Sequence, residues 1–390
     1  MRFNTNTIKF LITVVAILFI NSCNQSEVIN DRRIISPYSE INWDQVGHYD
    51  AMFHVHPGLG AEEYDPHDTI DRYYDEGYRI LAFSPHDYDV PDDYIESLYP
   101  WTRFSEIYEI IKHVENPTEE NQTYEEFANN PYENRDPVEL GMVSIQGSEI
   151  SGQHHIVSLF SDFTDSAESE IESFQIIEEL DGIAYFAHPG RYIDRWGLTA
   201  YWYVDLYLRT NADVVFGQSV YNRVDNHPGD RAFFDKIAHI LGHDRPIWMV
   251  SEDDMHTERT LGWNRNVILL ENFEPGSMHP DIQNGSAPDV KKALIDGRFY
   301  LWKPSEQYNR RAFNINDVTI NDKSIELRID NPELVNEIRW ITHNPEINDS
   351  ETIQTGLNIS LDQIPVYSKF VRAELEGGEG TIYTQPFYLR

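Results

Sequence analysis

Six short motifs carry side chains able to bind a divalent metal ion, and they follow one another along the first two thirds of the chain. They are His54-Val55-His56, His86 in Phe83-Ser84-Pro85-His86-Asp87, Glu149 in Gly147-Ser148-Glu149, the pair His154-His155, His188 in Ala187-His188-Pro189-Gly190, and Asp254-Met255-His256. Alternate residues of a strand face the same side, so His54 and His56 can reach one ion. Imidazole and carboxylate donors without thiolate suit Zn, Mn or Fe. A thiolate site is excluded, because Cys23 is the only cysteine. One His-x-His is a weak signal, and His227-Pro228-Gly229 repeats the tripeptide around His188 without an evident ligand role. Within the adjacent pair, His155 is the metal candidate. His154 either packs beside it, replaces it as the ligand, or serves as a catalytic group.

These residues need elements to hold them. Strand-like runs are read at 48–56, 78–84, 141–146, 155–160, 182–187, 213–216 and 247–250. Helical stretches are read at 66–77, 169–180, 200–209 and 230–241. Such alternation argues for parallel strands in an α/β barrel or sheet. Active sites of α/β barrels lie just past the C-terminal ends of the strands. Every motif except His154-His155 has that placement. Residues 91–140, rich in Pro, Asn, Glu and Tyr, read as an insertion. From about Arg311 short alternating runs such as 324–329, 337–341 and 370–374 suit antiparallel strands, so residues 306–390 read as a small β-sandwich.

Composition narrows the partners. The chain has 390 residues, with 30 Lys and Arg against 66 Asp and Glu, for a formal net charge of -36. Such a surface repels nucleic acid and anionic headgroups, which are bound by basic residues. The apolar run from Phe10 to Ile20 is too short to span a bilayer and fits the core of a secretory signal. Ile20-Asn21-Ser22-Cys23 resembles a bacterial lipobox, in which the cysteine is lipidated. The expected organisation is a signal with lipobox over 1–23, a tether over 24–45, a catalytic unit over 46–305 and the closing β-domain. The protein is then an exported lipoprotein of a Gram-negative bacterium. It touches the outer membrane only through its lipid and faces the periplasm or the cell surface.

The ordered motifs resemble the PHP (polymerase and histidinol phosphatase) superfamily over residues 46 to 305. The opening His-x-His of that family matches His54 and His56. Its Thr-Asp-His matches Ser84-Pro85-His86 only at the histidine. Its bridging glutamate matches Glu149, its later histidines match His155 and His188, and its closing Asp-x-His matches Asp254 and His256. A further early ligand falls at Glu62 or Glu63. The resemblance implies a distorted (β/α)7 barrel around two or three divalent ions, Zn, Mn or Fe. It also implies hydrolysis of a phosphate ester or related bond.

A narrower resemblance is to PHP-like lipoproteins of flavobacterial polysaccharide utilisation systems that degrade ulvan-type, uronic-acid-containing oligosaccharides. It implies elimination of water across C4–C5 of a terminal uronic acid. That chemistry needs a clamp on the carboxylate, a base for the C5 proton and an acid for the C4 hydroxyl. Arg191, Arg195 and Arg259 follow ligand motifs and are candidate clamps, and Trp196, Trp202 and Trp263 are candidate sugar platforms. The export signal, these aromatics and the missing Asp at position 85 favour elimination on an acidic sugar over ester hydrolysis. A non-catalytic sugar-binding lipoprotein has no need of so many ligands.

Overall fold

The computed structural model describes residues 32–56, 66–84, 86, 135–161, 163, 167–279, 282–321 and 323–390. Cys23 with its signal segment, Glu62 and Glu63, and residues 91–134 of the expected insertion lie outside these described residues.

Seven strands carry the metal-site motifs: β1 (Gly47–Met52), β2 (Ile80–Phe83), β3 (Val143–Ser151), β4 (His155–Leu159), β5 (Ile183–Phe186), β6 (Val215–Asn222) and β7 (Trp248–Glu252). They belong to a large mixed sheet whose first part is mostly parallel. The pairs β1–β2, β2–β3, β5–β6 and β6–β7 run parallel. Beyond their ends, Val55 and Met255 form a parallel bridge, with the His56 amide 2.8 Å from the Met255 carbonyl. The Ile80–Phe83 run is apolar and wholly buried, as a strand covered on both faces must be.

The expectation of parallel strands throughout needs correcting at β4. It runs antiparallel to both β3 and β5. Three residues separate Ser151 from His155, room for a hairpin but not for a crossover. The reversal explains the one motif that fell at a strand start. The first residue of an antiparallel strand lies at the same rim as the last residues of its parallel neighbours, and Ser151 pairs directly with His155.

Helices α1 (Pro66–Asp75), α2 (Glu170–Glu179), α3 (Pro189–Trp196), α4 (Ala200–Arg209), α5 (Asp230–Leu241) and α6 (Ala287–Asp296) surround the strands. Ser169 caps α2 by accepting the Glu172 amide at 3.3 Å. Two of these helices were not legible in the sequence. Pro-Gly-Arg-Tyr-Ile-Asp-Arg-Trp, for which no helix was expected, forms α3 with Pro at its start and Gly197 in a left-handed cap.

Strand β8 (Arg265–Leu270) pairs antiparallel with β1 and with Phe299–Pro304, which in turn pairs with Gly380–Tyr383. The sheet therefore continues into the C-terminal segment. Alternation along the shared strands divides two cores. Ile268, Leu270, Phe299 and Leu301 enter the core of the α/β part. Val267, Leu269, Tyr300 and Trp302 enter a second core with Trp340, Leu375 and Phe387. A period of two with both faces apolar makes these strands a common wall. The remaining C-terminal strands pair antiparallel. Arg372 on one of them forms a fully buried bidentate pair with Asp235 of α5, at 2.8 Å twice, and holds Glu374 at 2.6 Å.

Candidate metal centre

Glu149, wholly buried on β3, is the centre of the site. Its Oε1 lies 2.7 Å from His155 Nδ1, 3.0 Å from His188 Nε2 and 3.3 Å from His54 Nε2. Its Oε2 lies 2.8 Å from His86 Nδ1 and 3.3 Å from His56 Nε2. Asp254 Oδ1 closes the far side, 3.2 Å from His256 Nδ1 and 3.5 Å from His56 Nε2. Strand ends supply each of these groups, as rim placement requires.

Backbone conformation helps to aim them. His188 and Asp254 leave their strands at positive φ, 31° and 44°, as does neighbouring Arg223 at 53°. Non-glycine residues in this region cost about 1–3 kcal/mol each and persist where surrounding structure holds them. Glu252, at the end of β7, supplies part of that hold. Its Oε2 faces His54 Nδ1 at 2.9 Å, and its Oε1 accepts from the His188 amide at 2.9 Å and Ser219 Oγ at 2.8 Å. Asp253 next to it accepts from the amides of Gly262, Trp263 and Asn264 and from the Tyr73 hydroxyl, fixing the loop that follows.

The electrostatics follow from packing bases around acids. Burial would push the Glu149 carboxyl up, but the surrounding imidazoles hold it well below its usual range. Burial likewise opposes charge on Asp254, and its histidine neighbours overcome it in the same direction. Burial would lower His54, yet the carboxylates of Glu149 and Glu252 raise it well above its ordinary value. For His155, burial wins and its pKa falls.

The donors fit divalent ions. His56-His86-His256, His54-His56-Asp254, His54-Glu149-His188 and His86-Glu149-His155 each place three ligand atoms within 4.8 Å of one another. The sets share members, and only imidazole and carboxylate take part. Buried His54 Nε2, His56 Nε2 and Glu149 Oε2 make no hydrogen bond among the described residues. Polar atoms so buried are ordinarily satisfied, and cations bound among them would supply the missing partners.

A cleft of about 580 Å³ opens on the cluster, lined also by Arg191, Arg223, Asn222, Asn226 and His227. Of the sequence candidates, the structure brings together His54, His56, His86, Glu149, His155, His188, Asp254 and His256, and places Arg191 in the cleft wall. His154 is elsewhere, which corrects its reading as a catalytic group. Its Nε2 lies 2.8 Å from the Tyr203 hydroxyl and its Nδ1 2.7 Å from the His155 carbonyl, among Phe186, Tyr192 and Trp202. Both ring nitrogens of His154, which stands just before β4, are taken up by these protein contacts and face away from the cluster around Glu149.

Arg259 does not line the cleft, because the chain turns at Thr257–Leu261 and leaves it exposed. The three tryptophans do not line it either: Trp202 stacks on His154, Trp196 lies beside Arg195, and Trp263 bonds the Arg259 carbonyl. Sequence reasoning missed Glu252, Asn222 and Arg223. Arg223 Nη2 and Asn222 Nδ2 hold Asp254 Oδ2 at 2.9 and 3.0 Å. Their position at the end of β6, Asn222 as its last residue and Arg223 next after it, was the available signal.

No family model matches the chain, and no curated protein matches it. Among solved structures it is similar to a two-domain protein containing a predicted PHP-like metal-dependent phosphoesterase from Bacteroides vulgatus ATCC 8482. That likeness has a TM-score of 0.45 and 14% identity, over 88% of this chain and 96% of the other. It is also similar to a protein from Bifidobacterium adolescentis ATCC 15703, provisionally described as a metal-dependent phosphoesterase. There the TM-score is 0.33 and the identity 13%, over 53% of this chain and 87% of the other.

Proposed function

We propose that this chain is a PHP-type metal-dependent enzyme that eliminates water from the terminal uronic acid of an acidic oligosaccharide. The observation that carries its metal dependence is the Glu149 carboxylate amid five imidazoles at one strand rim. The Val55–Met255 bridge supports a distorted barrel closed between its first and last strands. The second core, with Trp340, Leu375 and Phe387, supports reading the C-terminal strands as a β-sandwich.

Two or three Zn, Mn or Fe ions would be held by His54, His56, His86, Glu149, His155, His188, Asp254 and His256. Glu62 is carried as a further ligand on the family pattern alone. Such ions supply charge neutralisation at substrate oxygens and lower the pKa of a bound water to about 7. The protein's own contribution is to orient the substrate. Arg191 and Arg223 line an otherwise acidic molecule's cleft and offer planar guanidinium forks to a carboxylate. Asn222 fixes Asp254 and so keeps the rim in register.

Hydrolysis of a phosphate or other ester is the second reading. The short Arg223–Asp254 contact favours it, since a guanidinium held beside the ligand cluster also suits phosphoryl oxygens. One panel separates the two: uronic-acid-terminated oligosaccharides, their neutral counterparts and phosphate monoesters, offered to metal-loaded protein. Ultraviolet absorbance of a 4,5-unsaturated uronate supports elimination. Phosphate release without that absorbance replaces it with hydrolysis.

A further inference from the structure

The His-Pro-Gly tripeptide occurs at 188–190 and at 227–229, and the two copies pack against each other. A Cβ on Gly190 would lie 2.5 Å from His227 Cβ and 2.7 Å from Asp230 Oδ1, so a glycine is required for the turns to approach this closely. The first copy delivers His188 to the metal cluster. The second delivers His227 to the wall of the same cleft, yet His227 belongs to none of the ligand triads. Its side chain is 24% exposed, and its recorded ionic contact is Asp194 Oδ2, 3.7 Å from Nδ1 and beyond hydrogen-bond reach. No hydrogen bond to its ring is formed among the described residues. An imidazole fixed beside a metal site but outside its ligand set has the position that acid–base chemistry needs.

We propose that His227 is the proton-transfer residue of this cleft. Its Nε2 takes the C5 proton of the terminal uronic acid, and the C5–H electron pair forms the C4–C5 double bond as the C4–O bond breaks. The proton then passes to the departing C4 hydroxyl, so one water leaves and the imidazole returns to its neutral form. The groups facing His227 are Asp194 and Arg191 of α3, Asp230 of α5, and His188 and Glu252 of the strand rim. Burial lowers its pKa, Asp194 opposes this, and His188 and Arg191 reinforce it. The ring is therefore neutral near pH 7, as a base must be.

The inference rests on the elimination reading, and its test separates the two. Full-length, metal-loaded wild type and His227→Gln are compared on a uronic-acid-terminated oligosaccharide. The variant is expected to lose about 100-fold or more in kcat, the scale of acid–base catalysis, with KM, metal content and melting temperature little changed. The acid limb of the wild-type pH–rate profile should vanish with it. In parallel, the imidazole Cε1–H resonance that disappears in His227→Gln is followed as glucuronate is added to the wild type, and it should shift. Near wild-type turnover by His227→Gln, or an immobile resonance while glucuronate binds, overturns the role of His227 and leaves elimination standing. A wild type that releases phosphate but forms no unsaturated uronate overturns both.

Discussion

His54 Nδ1 lies 2.9 Å from Glu252 Oε2 with both side chains fully buried, so the carboxylate orients the ring from behind and leaves Nε2 toward Glu149. Partners of this kind fix the tautomer of a metal-binding imidazole and raise its basicity. Glu252→Gln keeps the volume and removes the charge. Metal affinity should fall by about 10–100-fold, read by chelator competition, with secondary structure unchanged. Affinity equal to wild type would show that His54 needs no such support.

His154 offers the opposite case. His154→Phe keeps the aromatic packing but removes two hydrogen bonds and strands the Tyr203 hydroxyl. Denaturant unfolding should show a loss of about 1–3 kcal/mol, the usual penalty for an unsatisfied buried group. Metal content per folded chain should be unaffected. A lost metal equivalent without loss of stability would return His154 to the site.

The join between α5 and the C-terminal sheet rests on a buried charge cluster. Asp235→Ala removes the bidentate partner of buried Arg372, leaving Glu374 to face its guanidinium, and should cost about 3 kcal/mol. Glu374 adds a pH dependence. Burial opposes its ionisation, but Arg372 and Arg339 prevail and hold its pKa below the ordinary 4.5. The unfolded chain therefore binds this proton first as pH falls. The stabilisation is complete above about pH 4.5 and is lost as pH drops through the folded value. The stability gap between wild type and Glu374→Gln should narrow over that acid range and stay constant above it.

Much of the site was legible because strand ends are marked by composition. An apolar run followed by His, Glu or Asp identified five rim segments without knowledge of their pairing. What the sequence concealed was three-dimensional compensation. Strand β8 opens with two polar residues, Arg265 and Asn266. Both are fully buried because Asp50 takes the guanidinium and Ser251 the amide. Glu252 lay hidden in a run of three acids, each given a separate task by the fold: orienting His54, holding the 262–264 loop, and facing the metal-binding imidazoles. The tryptophans chosen for sugar stacking were near the motifs in sequence, but helix packing took Trp202 into the aromatic wall around His154.

Membrane attachment through Cys23 is a proposal of the sequence alone. Cys23→Ala should yield exported protein that no longer partitions with membranes. A variant that stays bound after a high-salt wash would contradict the lipid anchor.

The central claim is that Glu149 gathers a site for more than one ion, and the direct measurement is metal per chain by plasma mass spectrometry. Full-length wild type and Glu149→Ala would each be loaded with Zn, Mn or Fe and freed of loose ions by gel filtration. The account predicts about two to three equivalents in the wild type, falling below about one in the variant with circular dichroism unchanged. A wild type that retains no divalent ion under these conditions, or a Glu149→Ala protein that retains them all, would contradict it.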